Sequence, residues 1–466
     1  MPVMDSISTS CRVNAIGSMQ PSIPERLICH NSSMPDANAR DMLRGLFERA
    51  LSQSSIERAF ARHLEYEAGV LRIGEDLYSL SDYDRVLAIS IGKAAPLMAQ
   101  ALASQAGSLV GGIVAGSTDP SPMAPGFEYF CGGHPLPDAG SVKGAEAILR
   151  ALRGVTADSL VIFLISGGGS AAVEKPLGGL SLDDLAATYD VLVRCGAPIV
   201  PVNAIRKHLS AIKGGRLAQA SAPARQVSVL VADVPPHALD ALASGPSMPD
   251  STTVEDCYRI AAQYDLLGQF PPRVRSLFTQ RVLEETPKAD DWEFASARWH
   301  VVLSNETVTK AAEEDARRQG FEVEIDNRCD DWDYAAAGDY LLTRLRQLRL
   351  HAPRVCLLSG GEVTVRVTGK GRGGRNQQFT LYCATRIAGE NIAVLSAGTD
   401  GIDGNSPAAG AVADGTSMAR AFSLGYDVAH ALESCDAFPL FEALGDTITT
   451  GPTGNNLRDL RVLVAW

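Results

Sequence analysis

The chain has 466 residues and a formal net charge of −12, a length that suits two domains and a charge that excludes a global basic field for nucleic acid. Its 45% hydrophobic and 21% charged residues are an ordinary globular mix, and no apolar run reaches the roughly 18 residues of a membrane span. Nine scattered cysteines without a C-x-x-C pair fit reduced thiols in a cytoplasmic protein.

Residues 1–35 lack the apolar core of a secretory signal. They read as a disordered leader, or as residues upstream of a true start at Met34. Helical spacing begins at 36–50, where Asp36 is a candidate N-cap and Met42, Leu43, Leu46 and Phe47 form an apolar stripe. Six short apolar runs follow, each opening into a polar or glycine-rich turn. RVLAISI (85–91) runs into Gly92-Lys93-Ala94-Ala95, SLVIFLI (159–165) into Ser166-Gly167-Gly168-Gly169-Ser170, and QVSVLVA (226–232) into Asp233. WHVVL (299–303) runs into Ser304-Asn305, RVCLL (354–358) into Ser359-Gly360-Gly361-Glu362, and NIAVLS (391–396) into Ala397-Gly398-Thr399-Asp400.

Continuous rather than alternating apolar runs predict strands buried on both faces, hence an α/β fold with parallel strands and flanking helices. Ligands of such sheets sit at the C-terminal strand ends. The polar segment TPKADDW (286–292) predicts a domain boundary, dividing the chain into 36–290 and 300–466. VTVRVTG (363–369) alternates and predicts an antiparallel or edge strand, so the second domain is expected to hold a mixed sheet.

The candidate site residues lie in these turns. The amides of Ser166, Gly167, Gly168, Gly169 and Ser170 can converge on an anion at a helix start; a bare strand-to-helix turn needs fewer small residues. Lys93, at a strand exit, can meet a phosphate as a point charge. Gly360, Gly361 and Glu362 form a second candidate phosphate or nucleotide loop. In NAIRKHLSAIKGGR (203–216), helical spacing puts Arg206, Ser210 and Lys213 on one face, a substrate-binding row or a solvated basic face. Asp233 can accept a hydroxyl proton or cap a helix. Gly369, Gly371 and Gly374 match G-x-G-x-x-G, but the preceding run alternates with polar residues, and Asp400, the acid at the end of the next run, lies further along than the roughly 20 residues that fingerprint needs. Arg375 instead suits a bidentate carboxylate clamp, with Asn376 beside it as a substrate-binding candidate. Asp400 suits Mg²⁺ beside phosphates, whereas Asp403 reads as an Asp-Gly turn. There is no Walker loop, no G-x-S-x-G elbow and no zinc-type histidine spacing.

Taken together, the strings resemble the class II glycerate kinases, in which an N-terminal glycerate-kinase domain joins a MOFRL domain. The matching strings are IGKAA (91–95), GGHPLPD (132–138), SGGGSAAVEKP (166–176), NAIRKHLSAIKGGRLA (203–218) and ASGPSMPD (243–250). They continue with LSGGEVTV (358–365), GRGGRNQQ (371–378), GTDGIDG (398–404) and GPTGNNLRDL (451–460). The resemblance implies a Rossmann-like larger domain, a smaller α/β domain and a site in the cleft between them. It implies ATP- and Mg²⁺-dependent phosphorylation of D-glycerate to 2-phosphoglycerate, with Lys93, Asp233 and Arg375 as functional residues. The partners so implied are glycerate and ATP, with no nucleic acid and no membrane; a homodimer stays open. The rival is an NAD(P)H-dependent hydroxypyruvate reductase, a label also used in the family. Three departures stand out: Ser247 and Asn455 replace usual threonines, and Val-Pro-Pro-His follows Asp233.

Overall fold

The computed structural model describes residues 36–118 and 123–466; the leader expected over 1–35, with Met34, lies outside them. A small antiparallel meander, β1 (Leu64–Glu67), β2 (Val70–Ile73) and β3 (Asp76–Ser79), precedes the first large sheet. That sheet contains β4 (Arg85–Ile91), β5 (Gly111–Gly116), β6 (Phe127–Cys131), β7 (Ser159–Ser166), β8 (Arg225–Val231) and β9 (Ala297–Leu303). Its order is β6-β5-β4-β7-β8-β9 and every neighbouring pair is parallel. The run SLVIFLIS is buried along its whole length in β7, which is why it reads as continuously apolar. Each such Val, Leu, Ile or Phe contributes roughly 1.5–3 kcal/mol by leaving water.

From β4 the chain winds outward through β5 and β6, then returns to β7 on the other side of β4 and winds the opposite way. The switch point therefore lies between β4 and β7, and a ligand crevice opens at their C-terminal ends.

The second large sheet contains β10 (Glu322–Ile325), β11 (Val355–Gly361), β12 (Ile392–Gly398), β13 (Gly410–Asp414), β14 (Thr447–Ile448) and β15 (Asp459–Ala465). Its order is β10-β11-β15-β12-β13-β14. Only the β10–β11 pair is parallel, so the sheet is mixed. The last strand runs antiparallel between β11 and β12, with Asp459 opposite both Gly361 and Gly398. The start of β15 thus meets the C-terminal ends of β11 and β12.

Three expectations change. The strand at 299–303 does not open the second half: it is β9, the edge of the first sheet, paired with β8. The chain leaves that sheet at Ser304, which caps the helix Asn305–Arg318. The helix Asp36–Gln53 packs on Asn305–Arg318, β12 and β13, with Leu43, Leu46 and Phe47 fully buried. Its stripe said that one face is buried, not that the burying surface lies some 260 residues downstream. Finally, 363–369 forms no strand. β11 turns out of the sheet at Gly361 (φ 91°), its pairing with β10 stops at Leu358 and that with β15 at Gly361, and beyond it only Thr364 bridges to Asp333. Val367 is exposed.

Among the described residues no helix is long and apolar enough to cross a membrane, and the seven described cysteines are free.

Candidate active site

The switch point is sewn together by backbone. Gly92 stands at φ 119°, and a Cβ there would strike the carbonyl and hydroxyl oxygens of Ser166. Glycine lets the two strand ends touch. The Lys93 amide donates to the Gly167 carbonyl (2.8 Å), and the Ala94 amide to Ser166 Oγ (3.1 Å). Ser166 Oγ donates onward to the Ile91 carbonyl (3.3 Å). The hydroxyl of Ser166 thus positions the lysine loop and is not free for a phosphate. Gly168 (φ 76°) lies beneath the lysine stem, where a Cβ would sit 2.6 Å from Lys93 Cγ. A Cβ on Gly167 would overlap the Asp233 carboxylate. The ends of β4, β7 and β8 therefore bring Lys93, Gly167, Gly168 and Asp233 together. The helix expected after the glycines is one turn, Gly169–Ala172, so its dipole adds little. Ser170 Oγ hydrogen-bonds Ser244 Oγ.

Lys93 is exposed and Asp233 half-buried. Burial pushes the Asp233 carboxyl above the usual carboxylate range, against the charges of Lys93 and Arg458, which favour its ionised form. Asp233 does not cap a helix: the next helical turn begins at Pro236, and its N-cap position is Pro235. His134 also neighbours Lys93; burial, then the lysine charge, lowers its imidazole. Its string GGHPLPD contributed to the resemblance without suggesting that proximity.

The edge of the second sheet carries the other charges. Arg375 holds Asp459 in bidentate fashion (Nε–Oδ2 2.6 Å, Nη2–Oδ1 3.0 Å) and reaches Glu362 (2.7 Å). The clamp expected for a substrate carboxylate is thus filled by the protein's own carboxylates. Burial, then the Asp459 charge, pushes Glu362 up, and the charge of Asp233 acts on it too. Asp459, at the start of β15, was not foreseen as a site residue; the available signal was an acid opening the apolar run DLRVLVA.

Asn376 is buried: its Oδ1 accepts from Ser396 Oγ (2.6 Å) and its Nδ2 donates to Asp403 (3.3 Å). It helps hold the helix Arg375–Arg386 in place, and its side chain is buried away from the cleft. Asp403 caps that helix, accepting the amides of Asn376 (3.1 Å) and Gln377 (2.9 Å), and burial pushes it up to about 6. Gly360, Gly361 and Glu362 are not an open cradle. The Gly360 amide donates to Asn327 Oδ1 (2.8 Å) and the Glu362 amide to Asp330 Oδ1 (2.9 Å). Gly369, Gly371 and Gly374 pass closely by Ser434, Cys435 and Asp403, a packing role unlike a dinucleotide turn.

Ser210 and Lys213 are turned inward as well. The helix Ile199–His208 ends before either, so they do not share a helical face with Arg206. Both converge on the fully buried Glu174, which accepts from Ser210 Oγ (2.6 Å), Tyr189 Oη (2.6 Å) and Lys213 Nζ. Burial lowers the Lys213 ammonium. Arg206, half-buried, lies over the Tyr189 ring at 4.7 Å.

Asp400 lines a cleft of about 690 Å³ with Glu362, Arg375 and Gln378. Among the described residues, no three His, Cys, Asp or Glu side chains gather as a metal cage. Mg²⁺ needs no such cage where phosphate oxygens complete its shell. Asp400 fits that mode: its Oδ1 accepts the Ile402 amide (3.1 Å), and a Cβ on Gly398 would lie 3.2 Å from Asp400 Oδ1 and 3.4 Å from Asp459 Oδ1. Two carboxylates thus flank one glycine.

The family model DUF4147, a domain of unknown function, matches residues 42–279, and the MOFRL family model matches 355–459. The chain is 34% identical over 385 residues to a D-glycerate 2-kinase of Thermotoga maritima, covering 81% of this chain and 90% of that one. It is 34% identical over 439 residues to an Agrobacterium vitis protein provisionally named a hydroxypyruvate reductase, covering 92% and 95%. The crystal structure of a Thermotoga maritima glycerate kinase superposes with a TM-score of 0.81 at 30% identity, covering 92% of this chain and 100% of that one. With both domains matched in order and the two-sheet fold shared, the chain belongs to the glycerate kinase family built from a DUF4147 domain and a MOFRL domain.

Proposed function

We propose that the chain phosphorylates D-glycerate to 2-phosphoglycerate, with ATP as donor and Mg²⁺ as the metal. The observation that carries this reading is the meeting of Lys93, Gly167, Gly168 and Asp233 at the switch point. Phosphoryl transfer asks the protein mainly for positioning and charge. Asp233 takes the proton of the glycerate 2-hydroxyl, whose oxygen bonds to the γ-phosphorus as the bond to the β-phosphate oxygen breaks and ADP leaves. A carboxyl raised by burial is a stronger base than an exposed one. Lys93 offsets charge on the transferring group, and the amides of Gly167–Ser170 steady it. Arg375 takes the glycerate carboxylate by exchanging Glu362, the more weakly held of its two partners, whose charged form burial and the Asp459 charge disfavour. Asp400, beside Asp459, would hold Mg²⁺, which when bound offsets charge on the phosphate oxygens.

The reductase reading has the glycine string at 369–374 as its support. That string does not follow directly on a strand, because β11 ends at Gly361, and its glycines pack closely against Ser434, Cys435 and Asp403. The test is direct: incubate the protein with D-glycerate, Mg²⁺ and ATP, and separately with hydroxypyruvate and NADH or NADPH. ADP formation with phosphate on O2, located by NMR, supports the kinase; oxidation of the nicotinamide without ADP overturns it. Sedimentation of the same sample distinguishes a monomer from a homodimer.

A further inference from the structure

Arg458 has no part in the proposed reaction, yet it is built into the site. It stands at φ 66°, a left-handed conformation that a residue with a Cβ keeps only where its surroundings enforce it. Its amide donates to Asn456 Oδ1 (2.9 Å), and its carbonyl accepts from the amide (3.0 Å) and hydroxyl (2.8 Å) of Thr399. Its guanidinium makes two bonds to Asp330, Nη1–Oδ2 (2.7 Å) and Nη2–Oδ1 (2.6 Å). The side chain is only 9% exposed, and what exposure remains faces a cavity of about 260 Å³ shared with Val234, Asn305, Lys310 and Gly361. Val234 follows Asp233, so this cavity borders the proposed base. The acids lining it are Asp330, which Arg458 occupies, and Glu306, which is paired with Lys310 (2.8 Å); the charges of Glu362 and Asp331 also act on Arg458.

We infer that Arg458 is a phosphate-binding residue, whose guanidinium holds a phosphate group of the nucleotide or of the phosphorylated product from the second sheet while Lys93 holds it from the first. The planar fork of arginine matches phosphate oxygens two at a time. Asp330 presents two oxygens to that fork and keeps it oriented until a phosphate replaces them. Burial strengthens the contact, because little water competes for the guanidinium. The charges of Lys93 and Arg458 both act on Asp233, so the proposed base lies within reach of a cation from each sheet. The choice of ligands rests on the kinase reading. The alternative role is a brace, in which the pair with Asp330 merely ties the loop before Trp332 to β15.

The test uses the full chain and three variants: Arg458→Met, Arg458→Lys and Asp330→Asn. Each is titrated calorimetrically with ATP, with 2-phosphoglycerate and with D-glycerate, and its Tm is recorded. Arg458→Met is expected to weaken at least one phosphate ligand by roughly 10- to 100-fold, the worth of a charge-assisted pair, with D-glycerate unchanged. Which ligand weakens identifies the source of the phosphate. Asp330→Asn keeps the arginine and releases it, so phosphate affinity stays at the wild-type value or tightens. A brace would lower the Tm of Arg458→Met and Asp330→Asn alike and leave both phosphate affinities untouched, which overturns the inference. If Arg458→Met does not fold, Arg458→Lys decides, since wild-type affinity for both phosphates without the fork also overturns it. A wild type that binds neither phosphate ligand overturns it outright. A wild type that binds them through Arg458 but forms no ADP from ATP and D-glycerate refutes the kinase reading and leaves the inference standing.

Discussion

Replacing Gly167 by alanine places a methyl group inside the contact shell of Asp233: the new Cβ would overlap one carboxylate oxygen and lie 3.0 Å from the other. Gly167 is not among the glycines at positive φ, so the backbone accepts alanine and the damage falls on the carboxylate. Asp233 is only half-buried and can yield, but by roughly 1 Å or more, a displacement that costs a catalytic group about 10²-fold in rate. That factor corresponds to about 2.7 kcal/mol of lost transition-state stabilisation. Gly168→Ala is the matched control. It forces a left-handed residue to carry a Cβ, at roughly 1–2 kcal/mol, and presses on the lysine stem at 2.6 Å from Lys93 Cγ. A flexible stem can bend, so Gly168→Ala should lose more stability and less rate than Gly167→Ala. The assay is kcat and KM by coupled ADP release, with Tm for both proteins. A Gly167→Ala protein that folds normally and keeps kcat within about threefold of wild type, well short of that barrier, refutes the placement of Asp233 at the reacting hydroxyl.

Asp233→Asn should lower kcat by about 10²–10⁴-fold and yet raise Tm at neutral to alkaline pH. The folded carboxyl has a raised pKa, so its contribution to stability is full below the unfolded pKa and is lost as pH rises through the folded one. Melting scans against pH check this: the variant's advantage should fade on acidification, and the acid limb of wild-type kcat should lie above the range of an exposed carboxylate. Arg375→Met strips Asp459, 1% exposed, of its bidentate partner. A loss of about 2–4 kcal/mol in urea unfolding is expected, short of the largest buried-pair values because the arginine is partly in water. Glu174→Gln leaves Lys213, 1% exposed, without a counter-charge; about 3–5 kcal/mol should be lost with KM for glycerate unchanged. A raised KM with an unchanged Tm would instead return Ser210 and Lys213 to the ligand.

The strands that were legible are those whose burial is written locally. RVLAISI is β4 from end to end, and SLVIFLI is β7 less one residue, because a strand covered on both faces needs no information from elsewhere to look apolar. Neighbour relations were not legible. The insertion of β15 between β11 and β12, and the pairing of β9 with β8, join segments far apart in the chain, and hydrophobic periodicity carries no record of which edge a strand joins. The same holds for side chains. Lys93, Gly167, Gly168 and Asp233 could be singled out because strand ends are where such sheets meet ligands. Ser210, Lys213 and Asn376 looked available because their local surroundings are polar and glycine-rich. Their real partners, Glu174 and Asp403, stand 27 to 39 residues away in sequence, and only the folded chain reveals that they are buried against the protein's own groups.

That difference bears on how a chain of net charge −12 can hold anions. The arginines at the cleft are already matched to carboxylates: Arg375 to Asp459 and Glu362, Arg458 to Asp330. A buried or partly buried guanidinium without such a partner would destabilise the empty protein by several kcal/mol, so the acids keep the empty site folded and the forks aimed. An incoming carboxylate or phosphate must then displace a resident carboxylate, and its affinity is the difference between two similar contacts. Acidic residues beside the arginines are therefore compatible with anion binding and set its strength. On this view, neutralising a displaceable acid such as Asp330 should trade stability of the empty protein for tighter binding of phosphate. Neutralising Asp459, which is buried and opens a central strand, should cost stability with no such gain.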